Sequence, residues 1–240
     1  MATFVLVHGA WQRASTWDLA VPKLRDAGHQ VYVPTLTGLG AHAHLLAPEV
    51  NLDTHIQDVL GVINFERLQD ITLVGHSYAG MIITGVTEHA KHRLTHLVYV
   101  DAFVPNDGQS AMQLLPETIQ TMFREQAREE GEGWRLRASE KQLDLWGLKE
   151  GPAREFARSK LCDFSINCFE QPVKLPTNAA ATLDRTYIAC TGEGYPARAV
   201  FQQFAEHAKR EGWRYHELPT GHDCHVEMPE EFSRLLMNLV

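Results

Sequence analysis

One stretch restricts the fold more than any other. It runs Ile71-Thr72-Leu73-Val74-Gly75-His76-Ser77-Tyr78-Ala79-Gly80, with Met81, Ile82, Ile83, Val86 and Ala90 behind it. Ile71 to Val74 form a short apolar, β-branched run of the kind that makes a buried strand. The spacing after the corner is helical, and small residues stand two before and two after Ser77. A strand that turns sharply into a helix at a serine is a nucleophile elbow. Such a turn lifts the hydroxyl out of the sheet and sets it at the positive end of a helix. The usual second glycine is Ala79 here, still small enough for strand and helix to approach.

An elbow needs a sheet around it, and the rest of the chain supplies one. Phe4 to Val7 reads as the first strand. Trp17, Val21 and Leu24 share one face of a helix opened by Ser15, kinked at Pro22 and ended at Gly28. Gln30 to Val33 is the next strand, and Thr35 to Val50 a loop. Asp53 can cap a helix whose inner face is Ile56, Leu60 and Ile63, and Leu94 to Val100 is a strand after the elbow. From Pro105 to Thr182 the alternation gives way to charged helical pieces with Trp134, Trp146, Phe156 and Phe164 and no clear strand. It resumes with a strand at Arg185 to Cys190, a helix from Pro196 to Glu211 and a strand from Trp213 to Leu218. Pro229 opens a last helix whose stripe is Phe232, Leu235, Leu236 and Leu239. Near-continuous apolar strands joined by helices predict an α/β fold: a parallel sheet of about six strands, covered by helices on both faces. Residues 1–104 and 183–240 form the core, and 105–182 a helical cap inserted after the fourth strand, over the strand ends where such sheets place ligands.

Composition sets the remaining bounds. The 240 residues with 44% hydrophobic content suit one large domain with an insertion, and the net charge of −8 with no basic run excludes a nucleic-acid footprint. No apolar run approaches the roughly 20 residues of a membrane span, and the chain opens directly on a strand. Cys162, Cys168, Cys190 and Cys224 lack metal-type spacing, and reduced thiols are expected over a Cys162–Cys168 pair. The expectation is a cytoplasmic protein with a small-molecule substrate and no nucleic-acid or membrane partner. A homodimer stays open.

A serine hydroxyl is a poor nucleophile until a base takes its proton. Among thirteen histidines, His222 in Pro219-Thr220-Gly221-His222-Asp223 follows the last strand, where that base should stand. His76 should point away from the serine, and His225 is a weaker option. The tetrahedral intermediate needs two donors: the Tyr78 N–H just after the serine, and the Ala10 N–H in His8-Gly9-Ala10-Trp11. Two acids fit as orienter of the histidine. Asp101 ends the strand after the elbow, and Glu193 lies in the loop after the next strand. Asp101 is favoured, because a carboxylate at the mouth of a buried strand needs a partner, while Asp223 diverges from its neighbour His222. Trp11, Tyr78, Phe103, Trp146 and Phe164 would line an apolar acyl or aryl pocket.

His8-Gly9-Ala10-Trp11, Gly75 to Gly80 and Gly221-His222-Asp223 resemble the α/β-hydrolase superfamily, and within it the plant methyl-salicylate esterases, hydroxynitrile lyases and their bacterial esterase relatives. The similarity spans nearly the whole chain. In the plant members the acid follows the late strand, which implies Glu193. In haloalkane dehalogenases it can follow the earlier one, which implies Asp101, and bacterial relatives share the Asp101-Ala102-Phe103-Val104-Pro105 piece. The resemblance implies a serine esterase working through an acyl-enzyme with no metal or organic cofactor. A cyanohydrin lyase is the alternative enzyme, disfavoured because no lysine stands near His222. A dehalogenase would need a carboxylate where Ser77 is. A non-catalytic receptor for a small ligand is the third reading.

Overall fold

The computed structural model describes residues 1–240. Its elements in chain order are β1 (Thr3–Val7), α1 (Val21–Asp26), β2 (Gln30–Tyr32), α2 (Leu52–Phe65), β3 (Ile71–His76), α3 (Ala79–Ala90) and β4 (Leu94–Val100). There follow α4 (Glu117–Glu130), β5 (Arg135–Leu136), α5 (Glu140–Leu145), α6 (Pro152–Lys160), β6 (Phe164–Ser165) and α7 (Asn167–Glu170). The chain closes with β7 (Asp184–Cys190), α8 (Arg198–Arg210), β8 (Arg214–Leu218), α9 (Cys224–Glu227) and α10 (Pro229–Met237).

Six parallel strands form one sheet in the order β2-β1-β3-β4-β7-β8. Every residue of β3 is buried, as are the last five of β4 and of β7. That burial is why these strands read as apolar runs without alternation. The strand order reverses between β1 and β3, so the loops after β1 and β3 open at the same sheet end, beside the loop after β4.

Four local expectations are corrected. The segment after Ser15 is a separate 3-10 turn, Ala14–Trp17, ahead of α1, and Pro22 sits in the first turn of α1 where its missing N–H costs nothing. Asn51, not Asp53, caps α2: its side chain accepts from Thr54 N–H at 3.1 Å. The loop 35–50 contains a 3-10 helix, Gly40–Leu45. The segment between β4 and β7 carries helices α4 to α7 and also holds strand structure, the two-residue antiparallel pair of β5 and β6, too short to leave a period in the sequence.

Candidate active site

Three residues at the strand ends hold left-handed backbone although none is glycine: Trp11 (φ +58°), Ser77 (φ +58°) and Asp101 (φ +43°). Strain of this kind persists only where the surroundings fix it. At Ser77 the fixing contacts are plain. Its N–H donates to Val100 O at 3.1 Å, and its carbonyl accepts from Gly80 N–H at 3.1 Å and Phe103 N–H at 3.2 Å. A Cβ on Gly75 would fall 2.8 Å from Ala79 O, and one on Gly80 only 2.0 Å from Phe103 O. Strand, helix and the loop after β4 thus close on the serine with no room for side chains at those two positions. Ala79 itself is accommodated.

Asp101 leaves β4 with its N–H on Ile188 O at 2.8 Å, across the sheet in β7. Its buried carboxylate lies 2.7 Å from His222 Nδ1 through Oδ2, and Oδ1 accepts from Cys190 N–H at 3.2 Å. Glu193 is exposed at the surface of its loop and makes no bond to His222. Ser77 and His222 line one cavity of about 230 Å³. With Nδ1 held by Asp101, the other ring nitrogen is the one left for the serine.

The Ala10 and Tyr78 N–H groups donate to no backbone carbonyl, so both stay available to a developing oxyanion. Gly9 lets the first of these loops press onto the elbow: a Cβ there would stand 2.9 Å from Ser77 Cβ.

Of the aromatics expected at the pocket, Trp11, Phe103 and Trp146 line the cavity, and Tyr78 and Phe164 do not. Phe164 is wholly buried behind Trp11, ring centroids 5.6 Å apart, and packs on Tyr78 at 5.2 Å. The Tyr78 hydroxyl turns inward to His55 Nδ1 at 3.2 Å. Phe123, Phe169, Phe201, Leu115 and Ile119 take the lining places instead. Their helical and loop settings gave no signal in the sequence.

Buried polar groups of β3 and of the loop after β1 hold the His222 loop. His76 Nε2 donates to His222 O at 3.0 Å. Asp223 accepts from Gln12 Nε2 at 2.8 Å, and burial pushes its carboxyl up to about 6. Burial likewise holds His8 down to about 4 and His225 down to about 3. His76 is held well below the usual imidazole range, by burial first and by His222 and His225 after it, so its 3.6 Å contact with Asp223 is not an ion pair. His76, Asp223 and His225 bring possible metal-ligating atoms within 4.8 Å of one another. In each of them one atom has a protein partner (His76 Nε2 on His222 O, Asp223 Oδ1 from Gln12 Nε2, His225 Nε2 with Thr16 Oγ1 at 3.1 Å), and the other, His76 Nδ1, Asp223 Oδ2 and His225 Nδ1, has none.

Two contacts escaped the sequence altogether. The His222 N–H donates to Trp146 O at 2.8 Å, tying the loop to the segment after α5. The Tyr195 hydroxyl lies 2.6 Å from Asp101 Oδ2 and 2.9 Å from His222 Nδ1. Its only sequence clue is that it shares a loop with Glu193.

Residues 4–235 match the profile described as the alpha/beta hydrolase family. The chain is 38% identical over 249 residues to a carbendazim hydrolyzing esterase of Nocardioides sp. (strain SG-4G), covering 100% of both. It is 27% identical over 104 residues to an alpha-hydroxynitrile lyase of Arabidopsis thaliana, covering 43% of this chain and 40% of that one. Among solved structures, an extracellular alpha/beta-hydrolase from a Paenibacillus species superimposes with a TM-score of 0.82 at 23% identity, over 99% of this chain and 98% of that one. The last likeness concerns the fold alone.

Proposed function

Because the chain belongs to the alpha/beta hydrolase family, we propose that it is a serine esterase in which Ser77, His222 and Asp101 form the triad. The carrying observation is the buried 2.7 Å contact of Asp101 Oδ2 with His222 Nδ1, beside a cavity that Ser77 and His222 share. Ser77 Oγ attacks the ester carbonyl while His222 Nε2 takes its proton. The N–H groups of Ala10 and Tyr78 receive the oxyanion. The tetrahedral intermediate collapses, His222 protonates the departing alkoxide, and an acyl-enzyme is left. Water then attacks with His222 again as base, and the carboxylic acid leaves. Asp101 holds the imidazole with Nδ1–H toward itself and stabilises the imidazolium. No metal or organic cofactor takes part in these steps.

The substrate is a small, uncharged ester with an apolar or aryl part. Twelve of the eighteen residues around the cavity are hydrophobic, and no aspartate, glutamate, lysine or arginine lines it. Taking a charged substrate out of water into such a lining would leave it unpaired. The full-length relative is named as an esterase that hydrolyses carbendazim, and that name supports ester-type hydrolysis of a small molecule here. The partial likeness to a hydroxynitrile lyase is the reason to test that activity beside the esterase; no lysine stands on the cavity wall.

The test is a panel of p-nitrophenyl and methyl aryl esters, varied separately in acyl and alcohol parts, with mandelonitrile alongside. Burst release of p-nitrophenol and covalent labelling by a serine-directed phosphonate are expected. A receptor would bind without turnover or labelling, and cyanide release without ester cleavage would make it a lyase. Either result overturns the proposal.

A further inference from the structure

We infer that Tyr195 is a positioning residue of the triad, its phenol shared between Asp101 and His222 so that it fixes the imidazole and disperses the charge of the acid. This deepens the esterase reading and rests on it.

The geometry is a closed triangle. Tyr195 Oη stands 2.6 Å from Asp101 Oδ2 and 2.9 Å from His222 Nδ1, and those two atoms are 2.7 Å apart. A phenol has one proton. Burial and the neighbouring Asp101 push its ionisation well above 10, so the proton stays on. It is donated to the carboxylate, the stronger acceptor, and the phenol oxygen then turns a lone pair toward Nδ1–H. The imidazole N–H has two acceptors on one side, which sets the tautomer with Nε2 unprotonated and pins the ring. Asp101 in turn receives three donors, from Tyr195, His222 and Cys190 N–H. Each takes a share of its negative charge.

A buried tyrosine that merely satisfied its hydroxyl would need one partner. This one has two, both in the proposed relay, and it comes from a third loop. The cap sets its place. Ala197 N–H donates to Leu145 O at 3.0 Å, and a Cβ on Gly147 would fall 2.9 Å from Tyr195 Cα. The other titratable groups around the pair are Tyr187 and Cys190 from β7, His76 from β3, and Asp223, His225 and Glu227 beyond β8. None of them bonds to Asp101 Oδ2.

Tyr195→Phe removes the hydroxyl and keeps the ring. Incorporating 3-fluorotyrosine at 195 keeps the shape and strengthens the donor, so the question stays open to test even if the first variant folds poorly. On p-nitrophenyl acetate, Tyr195→Phe should lose up to about 10²-fold in kcat with KM little changed. With more charge left on Asp101, the imidazolium is held longer, and the acidic limb of kcat/KM moves to higher pH. Fluorotyrosine should move it to lower pH. Acidic limbs that superimpose on the parent overturn the inference, including where Tm and kcat fall together, since that outcome assigns Tyr195 to packing. If the unaltered protein shows neither turnover nor phosphonate labelling, the esterase reading is what fails. The low-field proton resonance of His222 Nδ1 then decides the inference separately: a downfield move in Tyr195→Phe supports it, and an unmoved resonance overturns it.

Discussion

The main-chain N–H of His222 donates to the carbonyl of Trp146 at 2.8 Å, so the histidine is anchored by the segment over the sheet as well as by its own loop. Trp146 also lines the cavity. A residue of the cavity wall and the proposed general base are therefore joined by one hydrogen bond.

That bond can be strained without touching either side chain. A Cβ on Gly221 would lie 2.4 Å from Trp146 O. Gly221→Ala should push the His222 loop away from Trp146 and lower kcat by about 10²-fold, with a lower Tm. Trp146→Leu keeps the carbonyl and should raise KM more than it lowers kcat. Steady-state kinetics on one aryl ester compares the two. A Gly221→Ala protein with parental kcat would show that the link is dispensable.

Ser77→Ala should fold as the parent does and lose at least about 10³-fold in turnover. Phosphonate labelling should disappear with it. Residual labelling at another serine would mean that the nucleophile is elsewhere.

Asp101→Asn should cost roughly 10³- to 10⁴-fold in kcat, because an amide can hold the wrong tautomer of His222. Glu193→Gln should change kcat by less than about 2-fold, as an exposed carboxylate with no bond to the histidine. Kinetics at matched Tm decides between them, and the reverse order would return the acid to the later loop.

Stability should fall as pH drops from about 6.5 toward 4. His8 and His225 are held to about 4 and about 3 in the fold, against 6.5 when unfolded. A depressed folded value means that the unfolded chain takes the proton first. The stability these groups contribute is therefore present above 6.5 and lost as pH falls through their folded values. His55 and His76 are shifted the same way. Asp223 and Glu227 oppose them: raised to about 6 and about 7, they contribute below their ordinary values and lose that contribution as pH rises through 6 to 7. Four buried imidazoles outweigh two carboxyls. Tm followed from pH 7.5 to 4 should drop, less steeply in His225→Asn and more steeply in Asp223→Asn. A Tm that rises on acidification would contradict this.

The elbow at Ser77 was legible because its causes are local: an apolar run, small residues two away on each side, and a helical spacing after them. His222 followed from topology, as the histidine after the last strand. Asp101 could be favoured over Glu193 only by asking which carboxylate would be buried. The aromatic expectations failed at Phe164 and Tyr78, since pattern tells that a ring is apolar but not which side of a wall it faces. Tyr195 showed only through sharing a loop with Glu193, and the Trp146 carbonyl left no trace.

The sequence by itself determined the alternation of strands and helices along the chain, the elbow and the candidate serine and histidine, because each follows from period, turn chemistry or position along the chain. Only the tertiary structure decided the partners of Asp101, the cavity wall and the tether of the His222 loop to Trp146. Those depend on segments 94 and 76 residues apart meeting within hydrogen-bond distance (Tyr195 with Asp101, His222 with Trp146), and contacts at that separation are set by packing, which no local period encodes.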